Sequence, residues 1–374
     1  MSARRQRRAA RATVSAASRP RRRGASSRTR RRPRRGPART TARPARGRLW
    51  SRLRPLLRRG RPAVISTHIN PDGDGLGSQL ALAGFLRQRG LRVAIINSDP
   101  VPRIYRFMDP AGEIQTADMP AAKEALAQCD LFFAVDNGTL QRMGDLEDWI
   151  RSTRAFKVCI DHHALQDDVW DLKFLDESAC STGTLIYELI QALGGRLTQH
   201  QALAIYVALI TDTGYFRFSR TDASTYRLAA DLLEAGVDPL QVYHEIYERN
   251  SLSYVRLLGA ALYNVRTECG GRLGWVVLRR KQIQAIGGEQ EDTSDMVNSL
   301  LTVDGVRVAL LFKELSGNRT KVSLRSKGDL DVNGVARRLG GGGHRNAAGI
   351  LLPEPLERGI ERVLAEVRPL AASE

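Results

Sequence analysis

Short apolar runs alternate with helical patterns along the chain from about residue 62. Four runs rich in β-branched and aromatic residues are bounded by polar or turn residues, as is typical of buried parallel strands. They occupy residues 63–67, 92–96, 131–135 and 157–160. Helical periodicity with an apolar face appears at residues 79–89, 182–193 and 202–210. This alternation predicts an α/β domain whose parallel sheet is covered by helices on both faces.

The pattern changes after about residue 265. A helical stretch from about 239 to 265 is followed by apolar runs at residues 273–278, 306–314 and 321–326, with one or two helices among them. The change predicts a smaller α+β domain joined to the first by a helical segment. We place the first domain at residues 62–238, the linker at 239–268, the second domain at 269–354, and a C-terminal helix and tail at 355–374.

The N-terminal segment changes how the net charge of +18 is understood. Residues 1–61 contain 24 Arg and no Lys, Asp or Glu, which leaves 34 basic against 40 acidic residues in the rest of the chain. Such a composition cannot bury enough apolar surface to offset chain entropy, so a disordered basic arm is predicted at 1–61. A nucleic-acid-binding tail, an organellar transit peptide and an over-extended translation start all stay open as interpretations.

Targeting and redox features are sparse. The sequence has no run of about 18 apolar residues, and the arm lacks the apolar segment of a secretory signal, so a cytoplasmic location is expected. The four cysteines are scattered and form no CxxC pair, which favours buried free thiols. They are Cys129, Cys159, Cys180 and Cys269.

Potential metal ligands follow the first predicted strand. His68, Asp72 and Asp74 lie between that strand and the next helix, in a segment that Pro71 and several glycines make tight. The three side chains can converge there, and the two carboxylates can serve neighbouring ions. A surface turn with helix-capping aspartates is the alternative interpretation.

Three more groups of acidic or histidine residues follow later elements. Asp136 ends one apolar run, Asp161-His162-His163 ends the next, and Asp212 follows the helical pattern at 202–210. Each group alone is typical of a turn or a packed histidine, but together they mark the carboxyl ends of strands, where open α/β sheets bind ligands. Clustered carboxylates repel one another unless cations lie between them, so two divalent metal ions are predicted. Mixed oxygen and imidazole ligands favour Mn²⁺, with Mg²⁺ or Co²⁺ as alternatives.

These motifs resemble those of the DHH phosphoesterase superfamily. The resemblance rests on residues 68–78, Asp136, 161–163 and the Thr-Asp-Thr-Gly sequence at 211–214, all in the family's order. The Gly-rich segment 340–349 looks like the signature of the DHH-associated C-terminal domain. The likeness covers residues 62–352 and is greatest for a short, two-domain branch of bacterial oligoribonucleases that also dephosphorylate 3′-phosphoadenosine 5′-phosphate.

The resemblance implies roles for the clustered residues. One ion would be held by His68, Asp72 and Asp136, and the other by Asp74, Asp136, His162 and Asp212. A metal pair lowers the pKa of a shared water and stabilises the attacking and leaving oxygens of an in-line displacement at phosphorus. Asp161 is expected to orient His162 from behind, and His163 to face the scissile phosphate as a donor or acid.

Substrate contacts are expected in the second domain. The resemblance assigns them to the glycine segment, whose backbone freedom would let it wrap around a phosphate, and to the strand ending at residue 326. The expected residues are Gly342, Gly343, His344, Arg345, Arg325 and Ser326. A helix cap with exposed charges, and an ordinary edge-strand charge, are the alternatives.

Some positions depart from the family pattern. Asp136-Asn137-Gly138-Thr139 stands where Asp-Thr-Ser-Asp is common, and Gln166 or Asp167 stands where Asn is common. These changes leave the ligand Asp136 intact but put local substrate contacts in doubt. Gly75 replaces the usual Ala, and little consequence is expected from the loss of one methyl group.

The expected function is metal-dependent exonucleolytic hydrolysis of short oligoribonucleotides and dephosphorylation of 3′-phosphoadenosine 5′-phosphate. A cyclic dinucleotide phosphodiesterase, a RecJ-like single-strand exonuclease and a non-catalytic nucleotide-binding module are the alternatives. The expected partners are short RNA or DNA oligonucleotides and a nucleotide substrate, without a membrane. The resemblance favours a homodimer.

Overall fold

The computed structural model describes residues 49–164, 167–288 and 293–373, all within one compact unit. Its first sheet has six strands in the order β3-β2-β1-β4-β5-β6, and each neighbouring pair is parallel. The strands are β1 (Pro62–Ser66), β2 (Arg92–Asn97), β3 (Ile114–Thr116), β4 (Leu131–Val135), β5 (Phe156–Asp161) and β6 (Leu172–Leu175).

Helices cover both faces of this sheet. Ile65 and Phe133 point into a core on one face, and Val64 and Phe132 point into a separate core on the other. Such two-sided burial explains why β4 is apolar at every position. The α/β prediction is confirmed. The helices are α1 (Gly73–Gln88), α2 (Pro120–Ala127), α3 (Glu147–Ser152), α4 (Thr182–Ala192), α5 (Gln199–Asp212) and α6 (Ala223–Glu234), and 3-10 helices span Ser51–Leu56, Arg103–Met108 and Leu140–Leu146.

Helix α1 begins earlier than its periodicity predicted. The Asp72 carboxylate accepts hydrogen bonds from the amides of Asp74 and Gly75, so the helix starts at Gly73 and includes most of the predicted loop. The glycines conceal this start, since their helix propensity is low. They are present because α1 is closely packed: the backbone of Gly77 lies against Ala204 of α5.

Replacing Gly77 with Ala is expected to lower the free energy of unfolding by about 1 to 3 kcal/mol. The added Cβ would lie within 3.0 Å of the Ala204 carbonyl oxygen, a backbone atom that cannot move alone. Urea unfolding measures the change. The control is Gly259→Ala, at a helical position where a Cβ meets nothing within 4 Å, and this variant should be as stable as the parent or slightly more so. Equal stability of both variants would contradict the expected clash.

The second domain contains a mixed sheet of six described strands in the order β11-β12-β10-β9-β8-β7. Its paired neighbours are antiparallel except for β8 and β9, which are parallel. The strands are β7 (Arg266–Glu268), β8 (Leu273–Leu278), β9 (Val308–Leu315), β10 (Arg319–Ser326), β11 (Gly342–His344) and β12 (Ala347–Leu352). The predicted smaller α+β domain is confirmed.

The C-terminal helix belongs to the core of this domain. Val363 and Val367 are fully buried in the cluster that also contains Leu310 and Val322 of the sheet. The predicted boundary at 355 therefore separates a helix from the sheet on which it packs. The remaining helices are α7 (Pro239–Tyr247), α8 (Leu252–Tyr263), α9 (Arg280–Ile286), α10 (Val332–Arg338) and α11 (Leu356–Ala372).

The linker contains two helices rather than one stretch. Helix α7 ends at Tyr247, and Ser251 caps α8 by accepting a hydrogen bond from the Tyr254 amide. A serine cap supplies an acceptor for an amide that would otherwise lack a partner at the helix start.

The folded body begins before residue 62. Trp50 and Leu53 are buried, and the Trp50 ring stacks on Phe174 with centroids 4.4 Å apart. The predicted arm at 1–61 was therefore wrong for residues 49–61, because their apolar side chains are part of the core. The predicted disorder of residues 1–48 lies outside the described residues.

Two expectations from composition concern the state of the cysteines and the lack of a membrane-spanning segment. All four cysteines are free, but Cys269 is partly exposed whereas the other three are buried. Among the residues that the structure describes, none of the helices has both the length and the apolarity that a bilayer crossing requires.

Candidate metal centre

The predicted metal ligands meet at the carboxyl ends of β1 and β4, where the order of strands along the first sheet reverses. Strands β1 and β4 are neighbours, yet the chain runs outward from each to opposite edges of the sheet. Ligand crevices in open α/β sheets form at the carboxyl ends of strands at such a switch point. His68 follows β1, Asp136 follows β4, and Asp161 ends β5 before His162. Position in the fold therefore brings residues that are distant in sequence to one edge.

One group contains His68, Asp72 and Asp136, whose ligand atoms lie within 4.8 Å of one another. His68 Nε2 is 3.8 Å from Asp72 Oδ2 and 3.6 Å from Asp136 Oδ2. The other ring nitrogen is 2.7 Å from the Ile69 carbonyl oxygen, to which it donates. This tautomer leaves the lone pair of Nε2 directed towards the two carboxylates. The oxygen of Asp72 that caps α1 is Oδ1, so capping and ligation use different oxygens.

A second group contains Asp74, His162 and Asp212. His162 Nε2 is 3.6 Å from Asp74 Oδ2, 3.4 Å from Asp212 Oδ2 and 3.6 Å from Asp136 Oδ1. Asp136 therefore turns one carboxylate oxygen to each group. These six side chains are the predicted metal ligands, and the structure brings all of them together.

Asp136 has an unusual backbone conformation. Its φ is 53°, in the left-handed region that few residues other than glycine occupy. The turn immediately after β4 directs the side chain back between the two histidines. Such strained conformations persist where the surrounding structure imposes them, and they are frequent at functional sites.

The chemistry of the group fits divalent cations. His162 is buried, and its Nε2 has no hydrogen-bond partner within the described part of the chain. Donors bound to one cation at about 2.0 to 2.2 Å lie roughly 3 to 3.6 Å apart, close to the separations seen here. A divalent cation could therefore be bound at once by the buried nitrogen and by the carboxylate oxygens around it. The assignment of these residues as ligands stays a prediction.

Crowding of the carboxylates raises the pKa values of two of them. Burial raises the pKa of Asp74 well above its usual value, and the charges of Asp136, Asp212 and Asp72 raise it further. Burial likewise raises the pKa of Asp212 to about 6, where the charge of His162 opposes the shift and Asp136 adds to it. A cation between these groups would remove the repulsion that raises both pKa values.

Histidines balance part of this negative charge. Burial and the charge of Arg142 lower the pKa of His68, but hydrogen bonds to Asp136 and Asp72 outweigh them and raise it to about 9. Burial raises the pKa of Asp136, but the neighbouring histidines, His68 foremost, hold it well below its usual range. A cation bound by these side chains would take over this role and leave the lone pair of His68 Nε2 free for ligation.

Asp161 differs from its predicted role. Its Oδ1 accepts from the His163 amide at 2.9 Å and from His163 Nδ1 at 2.7 Å, and its Oδ2 accepts from the amides of Asn137 and Gly138 at 2.9 and 2.6 Å. The carboxylate therefore orients His163, and the expectation that it orients His162 was wrong. Adjacent histidines project in different directions from the end of β5, so sequence alone could not assign the partner.

The other nitrogen of His162 has partners that sequence reasoning missed. Nδ1 is 3.2 Å from the Ala179 carbonyl oxygen and 3.1 Å from Arg220 NH1. A guanidinium only donates, and Nδ1 cannot donate and accept at once. Binding a cation through Nε2 requires the proton on Nδ1, which selects Ala179 as the partner. No residue pattern marks a backbone carbonyl as a ligand support.

Helix α4 provides further support that was missed. The amides of Thr182 and Gly183 donate to Asp74 at 2.7 and 2.8 Å, and the Thr182 hydroxyl donates to Asp136 Oδ1 at 3.2 Å. The start of a helix stabilises a carboxylate because its amides are unpaired and its dipole is positive there. The Ser181-Thr182-Gly183 helix start was a signal in the sequence, although nothing local linked it to Asp74.

The positions that depart from the family pattern have different local environments. Asn137 is completely buried after Asp136, and neither atom of its side-chain amide has a hydrogen-bond partner among the described residues. Asp167 Oδ2 accepts from the Leu140 amide at 2.6 Å and so ties two loops together. Gln166 lies outside the described residues.

Gly75 lies directly against Thr67, a contact that the sequence did not indicate. A Cβ at this position would lie 2.5 Å from Thr67 Oγ1, whose hydroxyl donates to the Val135 carbonyl at 2.8 Å. The glycine therefore makes room for a buried hydrogen bond between the ends of β1 and β4. Thr67 occupies the space that the methyl group of an alanine at position 75 would need.

Gly75→Ala is expected to destabilise the fold by about 1 to 3 kcal/mol, because Thr67 must leave its position. Thr67→Ala alone should cost about 1 kcal/mol through the lost hydrogen bond. The double variant should be no less stable than Thr67→Ala, since the clash is then absent. Urea unfolding of the four proteins measures this coupling, and strict additivity would exclude the proposed contact.

The glycine segment of the second domain forms a hairpin. Gly342 and Gly343 belong to β11, which pairs antiparallel with β12, so the prediction of a wrapping loop was wrong. Gly343 has φ 147°, and a Cβ there would lie within 3.0 Å of the Ala347 carbonyl oxygen. Arg345 is exposed and donates from Nε and NH2 to the Asp329 carbonyl at 3.1 and 2.6 Å. The side chain of His344 lies outside the described part of the structure.

Arg325 and Ser326 have different environments. Arg325 NH2 lies 3.4 Å from Asp295 Oδ1, and its NH1 donates to the Leu324 carbonyl at 3.0 Å. Ser326 is buried, and its hydroxyl donates to the Leu330 carbonyl at 2.6 Å. This geometry gives Ser326 a structural role in the turn. Substrate contact by these residues stays a prediction.

Comparison with known proteins decides the family. The sequence model of the DHH family, N-terminal domain, matches residues 62–211, and the model of the DHHA1 domain matches residues 280–372. The bifunctional oligoribonuclease and PAP phosphatase NrnA of Thermus thermophilus is 32% identical over 308 residues, which are 82% of this chain and 89% of that protein. The chain belongs to the DHH family. As a DHH phosphoesterase it is a hydrolase.

Two further relatives support the DHH assignment. The bifunctional oligoribonuclease and PAP phosphatase NrnA of Bacillus subtilis is 28% identical over 82% of this chain and 94% of its own length. The crystal structure of an exopolyphosphatase-related protein from Bacteroides fragilis has a TM-score of 0.82 at 26% identity, covering 87% of this chain and 98% of that chain. The DHH domain and the DHHA1 domain thus occur together in this chain.

Divalent cations are expected to raise the melting temperature of this DHH protein. A ligand at a hundred times its Kd adds about 2.7 kcal/mol to the stability of the folded state, and here it also relieves carboxylate repulsion. A thermal scan with Mn²⁺ and then excess EDTA measures the shift and its reversal. Asp136→Ala should show little shift. A melting temperature that Mn²⁺ leaves unchanged in the parent protein would contradict the metal centre.

Proposed function

We propose that this DHH protein hydrolyses short oligoribonucleotides from one end and removes a phosphate from 3′-phosphoadenosine 5′-phosphate, with two divalent cations at the cluster. The observation that carries the proposal is the shared position of Asp136, between a group containing His68 and a group containing His162. Two-metal sites of this kind suit phosphoryl chemistry. Relatives named for both activities cover most of the chain.

The residues divide the work as follows. His68, Asp72 and Asp136 would hold one cation, and Asp74, Asp136, His162 and Asp212 the other. When bound, the cations supply activation of water and stabilisation of charge at phosphorus. Mn²⁺ is the proposed ion, since carboxylate and imidazole ligands suit it, and activity with Mg²⁺ and Co²⁺ tests the choice.

His163 is the proposed proton donor to the leaving oxygen. His163 forms a third possible ligand group with Asp136 and His162. Its Nδ1 donates to Asp161 at 2.7 Å, which leaves this nitrogen no lone pair for a cation, and it lies 3.4 Å from Asp136. The side chain is 18% exposed. Burial lowers its pKa, but the hydrogen bond to Asp161 and the charge of Asp136 outweigh burial and raise it.

A panel of substrates tests the proposal with the full chain and Mn²⁺. It contains a labelled dinucleotide, a 24-mer, a cyclic dinucleotide and 3′-phosphoadenosine 5′-phosphate. Preference for the dinucleotide and the bisphosphate supports the proposal. Preference for the 24-mer would indicate a RecJ-like exonuclease, and preference for the cyclic compound a cyclic dinucleotide phosphodiesterase. Binding without turnover of any substrate would indicate a non-catalytic module.

The remaining expectations complete the proposal. It includes a cytoplasmic place of action and the predicted domain boundaries from residue 238 onwards. It also includes substrate contact by six residues of the second domain, which are Arg325, Ser326, Gly342, Gly343, His344 and Arg345. Light scattering of the purified protein tests the homodimer, and single substitutions of the exposed arginines test the substrate contacts by their effect on KM.

A further inference from the structure

Five aromatic rings form a continuous cluster immediately after the candidate ligand Asp212. Neighbouring ring centroids in this cluster are 5.0 to 5.8 Å apart. Three of its tyrosines remain exposed, by 57% for Tyr226, 37% for Tyr243 and 38% for Tyr247. Large apolar surfaces left open to solvent mark binding sites more often than they serve stability. The members are Tyr215, Phe216, Tyr226, Tyr243 and Tyr247.

The backbone is strained to hold this cluster in place. Gly214, Tyr215 and Phe216 have φ of 56°, 59° and 64°, three consecutive residues in the left-handed region. Bulky residues rarely adopt it, and they do so mainly where function requires it. The turn brings Tyr215 against α7, where its ring meets Tyr243 and Tyr247 nearly edge to face, at 79° and 85°.

The two tyrosines of α7 lie side by side. Tyr243 and Tyr247 are one helical turn apart, and their centroids are 5.0 Å apart with planes tilted by 38°. Tyr215 supports both rings from one side. Both residues keep more than a third of their surface exposed to solvent.

Packing places this surface beside the metal-ligand cluster. The 3-10 helix Arg103–Met108 contacts α7, which carries Tyr243 and Tyr247, and also contacts α1, which begins directly after Asp72. Burial raises the pKa of Tyr105 on this 3-10 helix, and the charges of Asp72 and Asp295 raise it further. The stacking surface and the first candidate ligands are therefore packed against the same short helix.

Charged groups of both domains act on this surface. Burial and then the charge of Asp295, in the second domain, raise the pKa of Tyr247 to about 12, while the charge of Arg217 opposes the shift. Arg217 directly follows the strained turn, and its Nε donates to the Gly214 carbonyl at 2.8 Å. An aromatic ring with an arginine nearby suits the base and a phosphate of a nucleotide.

We propose that Tyr243 and Tyr247 form a stacking surface for a nucleobase of the short oligonucleotide whose scissile phosphate lies at the Asp136 cluster. The inference rests on the proposed function and names the part of the substrate that this surface binds. Stacking on tyrosine tolerates any base, because every base has a π-face. The surface therefore selects for the presence of a base and not for its identity.

Tyr247→Leu tests this directly, with Tyr247→Phe as the variant that keeps the ring and Tyr263→Leu as a control at a tyrosine that is 91% exposed. The substrates are a 5′-phosphorylated diadenylate and the same compound without bases. Tyr247→Leu should raise KM for the diadenylate about tenfold and leave the baseless compound unchanged. Both control variants should behave like the parent. Equal loss on both substrates, or no loss on either, overturns the inference.

A binding measurement separates this inference from the proposed function. A dinucleotide containing 2-aminopurine loses fluorescence when its base stacks on an aromatic ring, and the readout with Ca²⁺ in place of Mn²⁺ needs no hydrolysis. Quenching by the parent and by Tyr247→Phe but not by Tyr247→Leu supports the stacking surface, even if no substrate is hydrolysed. Quenching that Tyr247→Leu retains overturns it, even if the oligoribonuclease activity is real.

Discussion

Asp136→Ala is expected to reduce hydrolysis at least about a thousandfold and to remove bound metal at the same time. Loss of a single group that stabilises transition-state charge costs up to about a thousandfold. Here the lost carboxylate turns one oxygen to His68 and the other to His162 and Thr182, so both cations lose a ligand. Metal content by atomic emission and kcat/KM on a dinucleotide measure the two effects together.

The control for this prediction is Asp168→Ala. That carboxylate is exposed and pairs only with Lys173 at 2.8 Å among the described residues, so its loss should leave metal content and activity unchanged. Full activity of Asp136→Ala would exclude the shared ligand. A loss of activity with metal content intact would assign Asp136 to a role other than ligation.

His163→Gln is expected to slow hydrolysis of a dinucleotide about a hundredfold or more while leaving metal binding intact. General acids contribute about 10² to 10⁴ in rate, and glutamine can keep a hydrogen bond to Asp161 but cannot deliver a proton. A p-nitrophenyl phosphate ester has a leaving group that needs no proton, so its hydrolysis should fall only a few-fold. The ratio of the two rates isolates proton donation from positioning.

The matched control is His244→Gln, at an exposed histidine that pairs with Glu248. It should not change either rate. If His163→Gln slowed both substrates equally, the histidine would act on a step that they share, and the proton-donor role would be excluded. Metal content must match the parent for either result to be interpreted.

Much of the metal centre could be predicted because its residues stand at element ends that the sequence marks. The apolar run before Asp136 and the one before Asp161 each predict a strand, and strand ends in a parallel sheet share one edge. The four longer strands of the DHH domain could be predicted because each is a short apolar run with polar or turn residues at its ends. Strands β3 and β6 were missed, since they are edge strands of only three and four residues.

Supporting contacts could not be predicted from residue types. The Ala179 carbonyl behind His162 and the amides of Thr182 and Gly183 behind Asp74 belong to the backbone, which every residue has. Arg220 carries no pattern that links it to His162. The relation between Gly75 and Thr67 requires knowledge of how α1 crosses the end of β1.

The start of the folded body was a different kind of miss. Trp50 and Leu53 are spaced as one face of a helix and are buried, so the sequence contained the signal. The prediction gave more weight to the many arginines around these two residues than to their spacing. Arginine stems cover apolar surface while their charged ends stay in water, so a basic segment can still contribute to a core.

Two of the four hydrogen bonds accepted by Asp161, those from the amides of Asn137 and Gly138, tie the exit of β4 to the exit of β5. Parallel neighbours become adjacent only after the intervening crossover has folded, so this tie cannot form while β5 is still being synthesised. Asp212 emerges later still. We therefore expect a nascent chain halted before Asp212 to capture cations weakly, so that cation capture reports completed synthesis and folding of the DHH domain.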